Sequence, residues 1–248
     1  MKVAGALFDP VYSDKEQSKL EAIDAFKEAA NAGADLIVFP EMTLSGFTMN
    51  CPLHDPGDMS FFEELAKTNG IAVIYGTVLK VENCLYNTAV FYDPESNKRA
   101  VYFKRKLFRY AKEDEFYCSG KNSVQFSYQE LKCSLLICYD LRFPELFRDT
   151  IGGELFFVIA CWPKSRKLHW HTLLRARAIE NQAFVIGVNR IGIDEKGVDY
   201  GQLSAVYDYY GKRLKPSIKT SKLLIWEISS QRIKKMYHWR KVFPVLKT

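Results

Sequence analysis

Residues 36–41 read Leu36-Ile37-Val38-Phe39-Pro40-Glu41, four consecutive apolar residues followed by a proline and a carboxylate. A short continuous apolar run is typical of a strand that is covered on both faces, as the inner strands of an α/β sheet are. Proline has no N–H for a strand ladder, so the strand is predicted to end at Pro40. The pattern therefore places Glu41 at the carboxyl end of a buried strand.

A helix is predicted on the amino-terminal side of this strand. The sequence Ser13-Asp14-Lys15-Glu16 has the form of a capping box, which predicts the helix start, and Gly33 predicts its end. Between them apolar residues recur at helical spacing, at Leu20, Ile23, Phe26 and Ala30. A helix followed by a buried strand is the repeating unit of an α/β fold.

The alternation of helices and strands continues along the chain. The predicted elements are helices around 61–67 and 166–181, strands at 71–79, 134–137, 155–160 and 183–189, and a hairpin from 85–92 to 99–103. Lys104 directly follows the hairpin, and Cys138 directly follows the strand at 134–137. In α/β folds functional sites gather where strands end, so Glu41, Lys104 and Cys138 are candidates for one site.

Length and composition describe a packed protein. The chain has 248 residues, of which 48% are hydrophobic and 26% charged, as in a globular protein with a sizeable core. No linker-like or repetitive stretch interrupts it, so one α/β domain over residues 1–248 is predicted. No apolar run approaches the roughly 20 residues of a membrane helix, and the first residues lack a signal-peptide pattern. We therefore expect a cytoplasmic protein without a membrane partner.

Cysteine, histidine and charge patterns narrow the possible classes further. The six cysteines show no Cys-x-x-Cys pair, and we expect them to be free thiols in a reducing compartment. With four histidines and no metal-ligand spacing, neither a metal nor another cofactor is expected. The net charge is +6, and basic residues are densest at 212–222 and 232–235. These segments lack a nucleic-acid-binding signature, so a solvated basic face is expected rather than a nucleic-acid partner.

Three spaced blocks of sequence carry a family resemblance. They are Phe39-Pro40-Glu41, Tyr102-Phe103-Lys104-Arg105-Lys106-Leu107-Phe108 and Cys138-Tyr139-Asp140-Leu141-Arg142-Phe143-Pro144-Glu145. In this order they resemble the signature motifs of the nitrilase, or carbon–nitrogen hydrolase, superfamily. Further matches at 86–89, 175–182, 187–190 and 243–246 extend the resemblance over essentially the whole chain. It implies a four-layer α-β-β-α sandwich, usually paired through one helical face into a homodimer.

The resemblance also implies catalytic roles. Cys138 matches the nucleophile, and Glu41 matches the general base that later acts as an acid. Lys104 matches the cation that stabilises the tetrahedral intermediate. Glu113 best matches a second glutamate that orients the lysine, with Glu115 as the alternative.

Elementary chemistry supports these roles independently. A free thiol has a pKa of about 8.5, so a nucleophilic cysteine needs a nearby cation or base to form its thiolate. Lys104 can supply the cation and Glu41 the base. Attack on an amide carbonyl places negative charge on oxygen, which Lys104 and the backbone N–H of Tyr139 can stabilise. A free cysteine at a strand end is usually an inert small hydrophobe, and it is the joint pattern with Glu41 and Lys104 that favours catalysis by Cys138. Cys161 is expected to be structural.

Other candidates have structural alternatives. Trp162 follows a strand end and is a candidate for the wall of the substrate pocket, the alternative being a core or interface tryptophan. Arg142 and Glu145 are candidates to support the substrate site, the alternative being a structural ion pair. Lys106 competes with Lys104 for the catalytic role, but the match at the end of the block favours Lys104.

Within the superfamily the best resemblance is to the omega-amidases. It is carried by Phe108-Arg109-Tyr110-Ala111, by residues 140–145 and by His169-Trp170. It implies hydrolysis of the terminal amide of a small dicarboxylic acid monoamide, such as 2-oxoglutaramate or succinamate, through a cysteine thioester and with release of ammonia. The alternatives are an N-carbamoyl hydrolase, a glutamine-type amidase, a nitrilase, or an inert binding protein that retains the fold. Lys106 and Asp9 replace a frequent histidine and a frequent glutamine, respectively, and bear on the subfamily assignment alone.

Overall fold

The computed structural model describes residues 1–12, 14–49 and 55–246, and the strands in these ranges form two β-sheets. The strands are β1 (Lys2–Ala6), β2 (Leu36–Val38), β3 (Ala72–Val81), β4 (Cys84–Asp93), β5 (Lys98–Phe103), β6 (Gln125–Tyr128), β7 (Leu131–Ile137), β8 (Leu155–Ala160), β9 (Phe184–Asn189), β10 (Ala205–Tyr207), β11 (Arg213–Leu214), β12 (Ile218–Lys219) and β13 (Leu223–Glu227). The first sheet has the order β12-β13-β1-β2-β3-β4-β5 and the second β11-β10-β9-β8-β7-β6. Strands β1 to β3 are parallel, as are β7 to β9, so the carboxyl ends of each set share one edge.

Helices cover the outer faces of both sheets. They are α1 (Lys15–Asn31), α2 (Gly57–Asn69), α3 (Pro144–Arg148), α4 (Lys167–Asn181) and α5 (Ser230–Val242). Phe26 of α1 and Phe62 of α2 join one apolar cluster with strand residues of the first sheet. Trp170 of α4 and Phe147 of α3 do the same on the second sheet. Within the described ranges, no helix is both long and apolar enough to cross a membrane.

A third apolar cluster fills the space between the two sheets. Ile74 and Phe91 from the first sheet pack with Ile137 and Phe157 from the second, and each is at most 1% exposed. Burial of one such side chain stabilises the fold by about 1.5–3 kcal/mol. The layers therefore run helix, sheet, sheet, helix, as the resemblance implies.

The first helix begins slightly later than the sequence predicts. Lys15 is its first residue, and Oδ1 of Asp14 accepts the cap hydrogen bond from the backbone N–H of Gln17 at 2.9 Å. Asp14 therefore serves as the N-cap, while Ser13 lies outside the described residues. The predicted stop is correct, since Gly33 turns the chain with a φ of +67°.

The carboxyl-terminal quarter contains structure that the sequence patterns do not reveal. Strands β10 to β13 have two to five residues each, too few for a periodicity to stand out. Helix α5 has Met236 as its buried residue and contains five of the 35 Lys and Arg residues of the chain. Arg240 of this helix donates to the backbone carbonyls of Asn181 and Gln182 just after α4. Arg240, which lies outside the predicted basic segments, therefore anchors α5 to the end of α4.

The cysteines are not all free thiols. Cys84 and Cys118 form a disulfide, with Cα atoms 5.7 Å apart and a sequence separation of 34. The segment after β5 returns beside β4, where the N–H of Cys118 donates to the carbonyl of Leu85 at 2.8 Å. This long-range pairing is invisible in the cysteine spacing. Cys133, Cys138 and Cys161 are free, and Cys51 lies outside the described residues.

Candidate active site

Four predicted site residues meet at one end of the sandwich. Glu41 lies three residues after β2, Lys104 directly follows β5, and Cys138 directly follows β7. Glu113 belongs to a 3-10 turn in the segment after β5. Glu41, Lys104 and Glu113 are at most 1% exposed. Buried charges are costly unless they are paired, so these groups must compensate one another.

Lys104 connects the two carboxylates. Its Nζ donates to Oε1 of Glu41 at 2.8 Å and lies 3.0 Å from Oε1 of Glu113. Burial alone lowers the pKa of an ammonium group, because it disfavours the charged form. Here the carboxylates of Glu113 and Glu41 outweigh burial and hold the pKa of Lys104 well above its ordinary value. The residue is therefore a fixed cation beside the cysteine.

Asn87 holds the same two carboxylates together from β4. Its Nδ2 donates to Oε1 of Glu41 and to Oε1 of Glu113, each at 2.8 Å. Two carboxylates in one buried site repel each other, and the amide and the ammonium both offer hydrogens to that pair. From the sequence, Asn87 belongs only to the matching segment 86–89, and no role is predicted for it. A polar residue within the buried part of a strand was the signal that could have identified it.

The structure distinguishes between the two glutamates proposed to orient the lysine. Glu113 is fully buried, and its Oε2 also accepts a hydrogen bond from the backbone N–H of Phe108 at 2.6 Å. Glu115 is exposed and pairs with Lys112 at 3.6 Å. Only Glu113 of these two contacts Lys104.

Cys138 occupies a constrained turn. It begins the 3-10 turn Cys138–Arg142 with a φ of +46°, in the left-handed region that non-glycine residues rarely adopt. The carboxylate of Asp140 secures this turn by accepting hydrogen bonds from the N–H of Ile137 at 3.0 Å, the N–H of Lys106 at 2.9 Å and the hydroxyl of Tyr102 at 2.8 Å. The turn therefore presents the sulfur in one orientation.

The thiol of Cys138 needs a base. Burial raises its pKa well above the ordinary value, and the neighbouring Glu41 carboxylate raises it further, while Lys104 opposes both. The resting cysteine is therefore protonated at neutral pH. The Glu41 carboxylate lies close enough to the thiol to raise its pKa, so an acceptor for the thiol proton is beside it.

The Glu41 carboxylate is fixed on its other side by the chain after β8. Its Oε2 accepts a hydrogen bond from the backbone N–H of Cys161 at 2.9 Å. Gly76 permits the strand to pass close behind Glu41, since a Cβ at this position would lie 2.3 Å from the backbone nitrogen of Met42. Any side chain there would displace Glu41.

An open cavity of about 400 Å³ leads to these groups. Glu41, Lys104 and Cys138 line it together with aromatic and cationic residues, which include Phe47, Phe108, Tyr139, Trp162, Tyr200, Arg142 and Arg166. Trp162 and Tyr139 thus belong to the cavity wall. A cavity of this size suits a small molecule.

Two arginines extend across aromatic rings of the cavity wall. The guanidinium of Arg142 lies 4.8 Å from the ring centre of Trp162, and that of Arg166 lies 5.5 Å from the ring centre of Phe108. Neither pairs with a carboxylate in the part of the chain that the structure describes. Arg142 contacts His169, with Nη2 and Nδ1 3.3 Å apart.

Glu145 does not join the site. It is exposed and pairs with Lys106 at 3.2 Å, so neither the predicted place near the substrate nor an ion pair with Arg142 is found. The reason is that α3 begins at Pro144 and directs Glu145 to the outside. The same contact removes Lys106 from competition with Lys104.

Arg166 was not identified as a site residue from the sequence, where it marks only the start of a predicted helix. A cation at the amino terminus of a helix opposes the helix dipole, and this mismatch was a usable signal. Within the described ranges, no group of three or more His, Cys, Asp or Glu side chains has the arrangement of a metal site.

Comparisons with known proteins indicate one family. The Carbon-nitrogen hydrolase family model matches residues 2–238. An omega-amidase of Yersinia enterocolitica is 35% identical over 199 residues, covering 79% of this chain and 77% of that protein. A 2-oxoglutaramate amidase of Bacillus subtilis is 33% identical over 216 residues, covering 84% and 82%.

The fold of this chain also resembles that of solved structures. A CN-hydrolase superfamily protein of Xanthomonas campestris, determined with an arsenic adduct in its active site, superposes with a TM-score of 0.90 at 27% identity. The superposition covers 99% of this chain and 96% of that one. The predicted nitrilase-type sandwich is thereby confirmed.

Proposed function

Because the chain belongs to the carbon–nitrogen hydrolase family and acts on a non-peptide amide bond, we propose that it is an omega-amidase. Its substrate is a small dicarboxylic acid monoamide of the 2-oxoglutaramate or succinamate type, and its products are ammonia and the dicarboxylic acid. The observation that carries this proposal is the pair of guanidinium groups without carboxylate partners in the cavity of Cys138. The names of the amidases from Yersinia enterocolitica and Bacillus subtilis support the same substrate class.

The reaction begins with deprotonation of the cysteine. Glu41 accepts the thiol proton of Cys138 as the sulfur attacks the amide carbon, and a tetrahedral intermediate with an oxyanion forms. Lys104 and the backbone N–H of Tyr139 stabilise this oxyanion, and loss of one such donor typically lowers the rate about 10²–10³-fold. The raised pKa of Lys104 supports this role, because the lysine keeps its charge throughout.

The same carboxyl group completes the reaction. Glu41 returns the proton to the leaving nitrogen, so that ammonia departs and a thioester remains on Cys138. Water then enters, Glu41 removes its proton, and the thioester is hydrolysed to the free acid. Glu113 and Asn87 act through Lys104 and Glu41, whose positions they hold.

Arg142 and Arg166 supply the recognition of the substrate's far carboxylate. Both guanidiniums rest on aromatic rings, which limits their motion and leaves their N–H groups available for hydrogen bonds. A charge-assisted hydrogen bond of this kind contributes about 1.5–3 kcal/mol, or roughly 10–100-fold in kcat/KM.

The decisive experiment measures ammonia release over a matched substrate panel. Succinamate and 2-oxoglutaramate are compared with butyramide, which has the same reactive amide but no carboxylate, and with glutamine, an N-carbamoyl amino acid and an aliphatic nitrile. We expect kcat/KM for succinamate and for 2-oxoglutaramate to exceed that for butyramide by roughly 10–100-fold. Equal rates for succinamate and butyramide contradict the omega-amidase proposal, and preference for a carbamoyl compound or a nitrile assigns another branch of the family.

We propose that two copies pair through the face formed by α4 and α5. Ile179, Tyr210 and Phe243 are 49%, 65% and 56% exposed, and Trp239 contacts the rings of both Tyr210 and Phe243. An exposed apolar cluster of this kind is typical of an interaction surface. Light scattering should give a dimer mass for the parent and a lower mass for Tyr210→Glu. A monomer mass for the parent at all concentrations contradicts the pairing.

We also propose one domain over residues 1–248 and a cytoplasmic location. Both sheets contribute to one shared core, which supports a single domain. The need for Cys138 to remain a reduced thiol supports this location, whereas the Cys84–Cys118 disulfide counts against a reducing compartment.

A further inference from the structure

Cys161 contributes a second sulfur to the cavity that contains Cys138. It directly follows β8, is 6% exposed and lines the same cavity. Its Sγ donates to the backbone carbonyl of Glu41 at 3.4 Å. The hydrolytic reaction uses the N–H of Cys161 to hold Glu41 but has no use for its sulfur.

The strand register places the two cysteines side by side. Strands β7 and β8 are parallel neighbours in which Ile137 is paired with Ile159, so Cys138 and Ala160 follow as the next pair. Cys161 is one residue farther along. With strands about 4.8 Å apart and a rise of about 3.3 Å per residue, this offset separates the two Cα atoms by roughly 6 Å. Disulfides form between Cα atoms about 4.4–6.8 Å apart.

Both sulfurs also lie beside Glu41 in the same cavity. The Glu41 carboxylate is close enough to the Cys138 thiol to raise its pKa, and the thiol of Cys161 donates to the Glu41 backbone carbonyl at 3.4 Å. Two thiols that contact one residue from adjacent strands have a high effective concentration for each other. Cys133, the other free cysteine of the described ranges, is fully buried in the core between the sheets.

We propose that Cys138 and Cys161 form a reversible redox site, in which Cys161 captures the hydroperoxide-oxidised Cys138 as a disulfide and thereby preserves the nucleophile. The modification inactivates the enzyme while the disulfide persists. Reduction by a dithiol restores the two thiols and the activity.

The chemistry balances with one equivalent of hydroperoxide. The sulfur of Cys138, deprotonated by Glu41, attacks one peroxide oxygen, the O–O bond breaks, and a sulfenic acid forms as the other oxygen leaves and takes a proton. The sulfur of Cys161 then attacks the sulfur of Cys138, the S–O bond breaks, and the oxygen leaves as water with the Cys161 proton. Two thiols are oxidised by two electrons in total, and hydrogen peroxide is reduced to two waters.

The capture step determines whether the damage is reversible. A sulfenic acid with no thiol beside it is oxidised further by peroxide to sulfinic and sulfonic acids, which dithiols do not reduce. Cys161 therefore diverts Cys138 from an irreversible product to a reversible one.

The test treats the full-length enzyme with a small excess of hydrogen peroxide, blocks free thiols with N-ethylmaleimide and maps tryptic peptides without reduction. We expect a cross-link between the peptide of residues 133–142 and that of residues 149–164. The first peptide contains both Cys133 and Cys138, so Cys133→Ala serves as the matched control and should give the same cross-link. Dithiothreitol should then remove the cross-link and restore most of the lost activity.

The variants Cys161→Ser and Cys161→Ala should show no cross-link. After the same treatment they should carry sulfinic or sulfonic acid at Cys138 and regain little activity with dithiothreitol, each relative to its own untreated sample. Two variants are used because one substitution beside Glu41 can impair folding. The mapping requires no substrate, so its result is independent of the omega-amidase proposal.

Two outcomes overturn the proposal. One is a fully inactivated parent enzyme without the cross-link between Cys138 and Cys161. The other is equal recovery with dithiothreitol in the parent and in a folded Cys161 variant.

Discussion

Nζ of Lys104 lies within hydrogen-bonding distance of both carboxylate oxygens of Glu113, 3.0 Å from Oε1 and 2.9 Å from Oε2. This contact fixes the ammonium and, together with Glu41, keeps it charged in a buried position. Glu113→Gln retains the shape but removes one carboxylate, so we expect kcat to fall by roughly 10–100-fold, because a hydrogen bond between charged groups contributes about 1.5–3 kcal/mol. Steady-state kinetics and thermal unfolding check this prediction.

Glu115→Gln is the matched control, because Glu115 lies two residues away and is exposed. Its kcat should equal that of the parent. If both variants lose activity equally, or if the loss in Glu113→Gln only follows a loss of folded protein, the orienting role is wrong.

Replacement of Glu41 tests the proton transfers. Glu41→Gln keeps an oxygen that can accept from Lys104 and Asn87 but cannot take a proton from Cys138. General acid–base catalysis typically contributes about 10²–10⁴-fold, so turnover should fall by this factor in a folded protein. Circular dichroism establishes the fold, and ammonia release gives the rate. A rate near that of the parent would remove Glu41 from the mechanism.

The arginines test the substrate class. Arg142→Gln and Arg166→Gln should each raise KM for succinamate by roughly 10–100-fold, because a charge-assisted hydrogen bond to the carboxylate is lost. Butyramide hydrolysis should change little. Lys167→Gln is a control that removes a nearby exposed cation outside the cavity. An equal loss on both substrates would show that the arginines support the site rather than bind the carboxylate.

Much of this architecture is predictable from local sequence, because buried parallel strands read as uninterrupted apolar runs. The runs before Glu41 and Cys138 correctly place both residues at strand ends. Long-range contacts are different in kind. The Cys84–Cys118 disulfide depends on the path of the chain after β5, which no local pattern encodes.

The charged residues of the candidate site were predictable from the sequence, whereas their contacts were not. The motif blocks identify the charged residues, but they do not reveal which partners hold them. Asn87 and Asp140 contribute through contacts with residues far away in sequence, and Glu145 is directed outward by the start of α3. A residue's place in a motif therefore predicted its neighbourhood in the fold and left its contacts open.

Asp140 gives a prediction for the pH dependence of stability. Burial raises the pKa of its carboxyl to about 6 from an ordinary value of 3.8. The folded protein therefore binds this proton more tightly than the unfolded chain does. The contribution of Asp140 to the free energy of unfolding is largest in acid and is lost as the pH rises through about 6.

Comparison with Asp140→Asn isolates this contribution, because asparagine does not titrate. Urea unfolding should show that the parent's free energy of unfolding, minus that of the variant, falls by about 2 kcal/mol between about pH 4.5 and pH 7. The variant should also have reduced activity at neutral pH, because its amide cannot accept all three hydrogen bonds that secure the turn at Cys138. A difference that is constant or rises with pH contradicts the raised pKa of Asp140.

The covalent intermediate is the feature that separates this mechanism from direct attack by water. If Cys138 is acylated and ammonia leaves before water enters, a stronger nucleophile should intercept the same thioester. Hydroxylamine should therefore divert the product of succinamate from the free acid to the hydroxamate, in a proportion that rises with its concentration, while ammonia is still released. Cys138→Ala should abolish both products, since it removes the acyl carrier with little change in the cavity. Acid formation that persists in this variant, with no hydroxamate from the parent, would exclude covalent catalysis at Cys138, because water would then be reaching the amide directly.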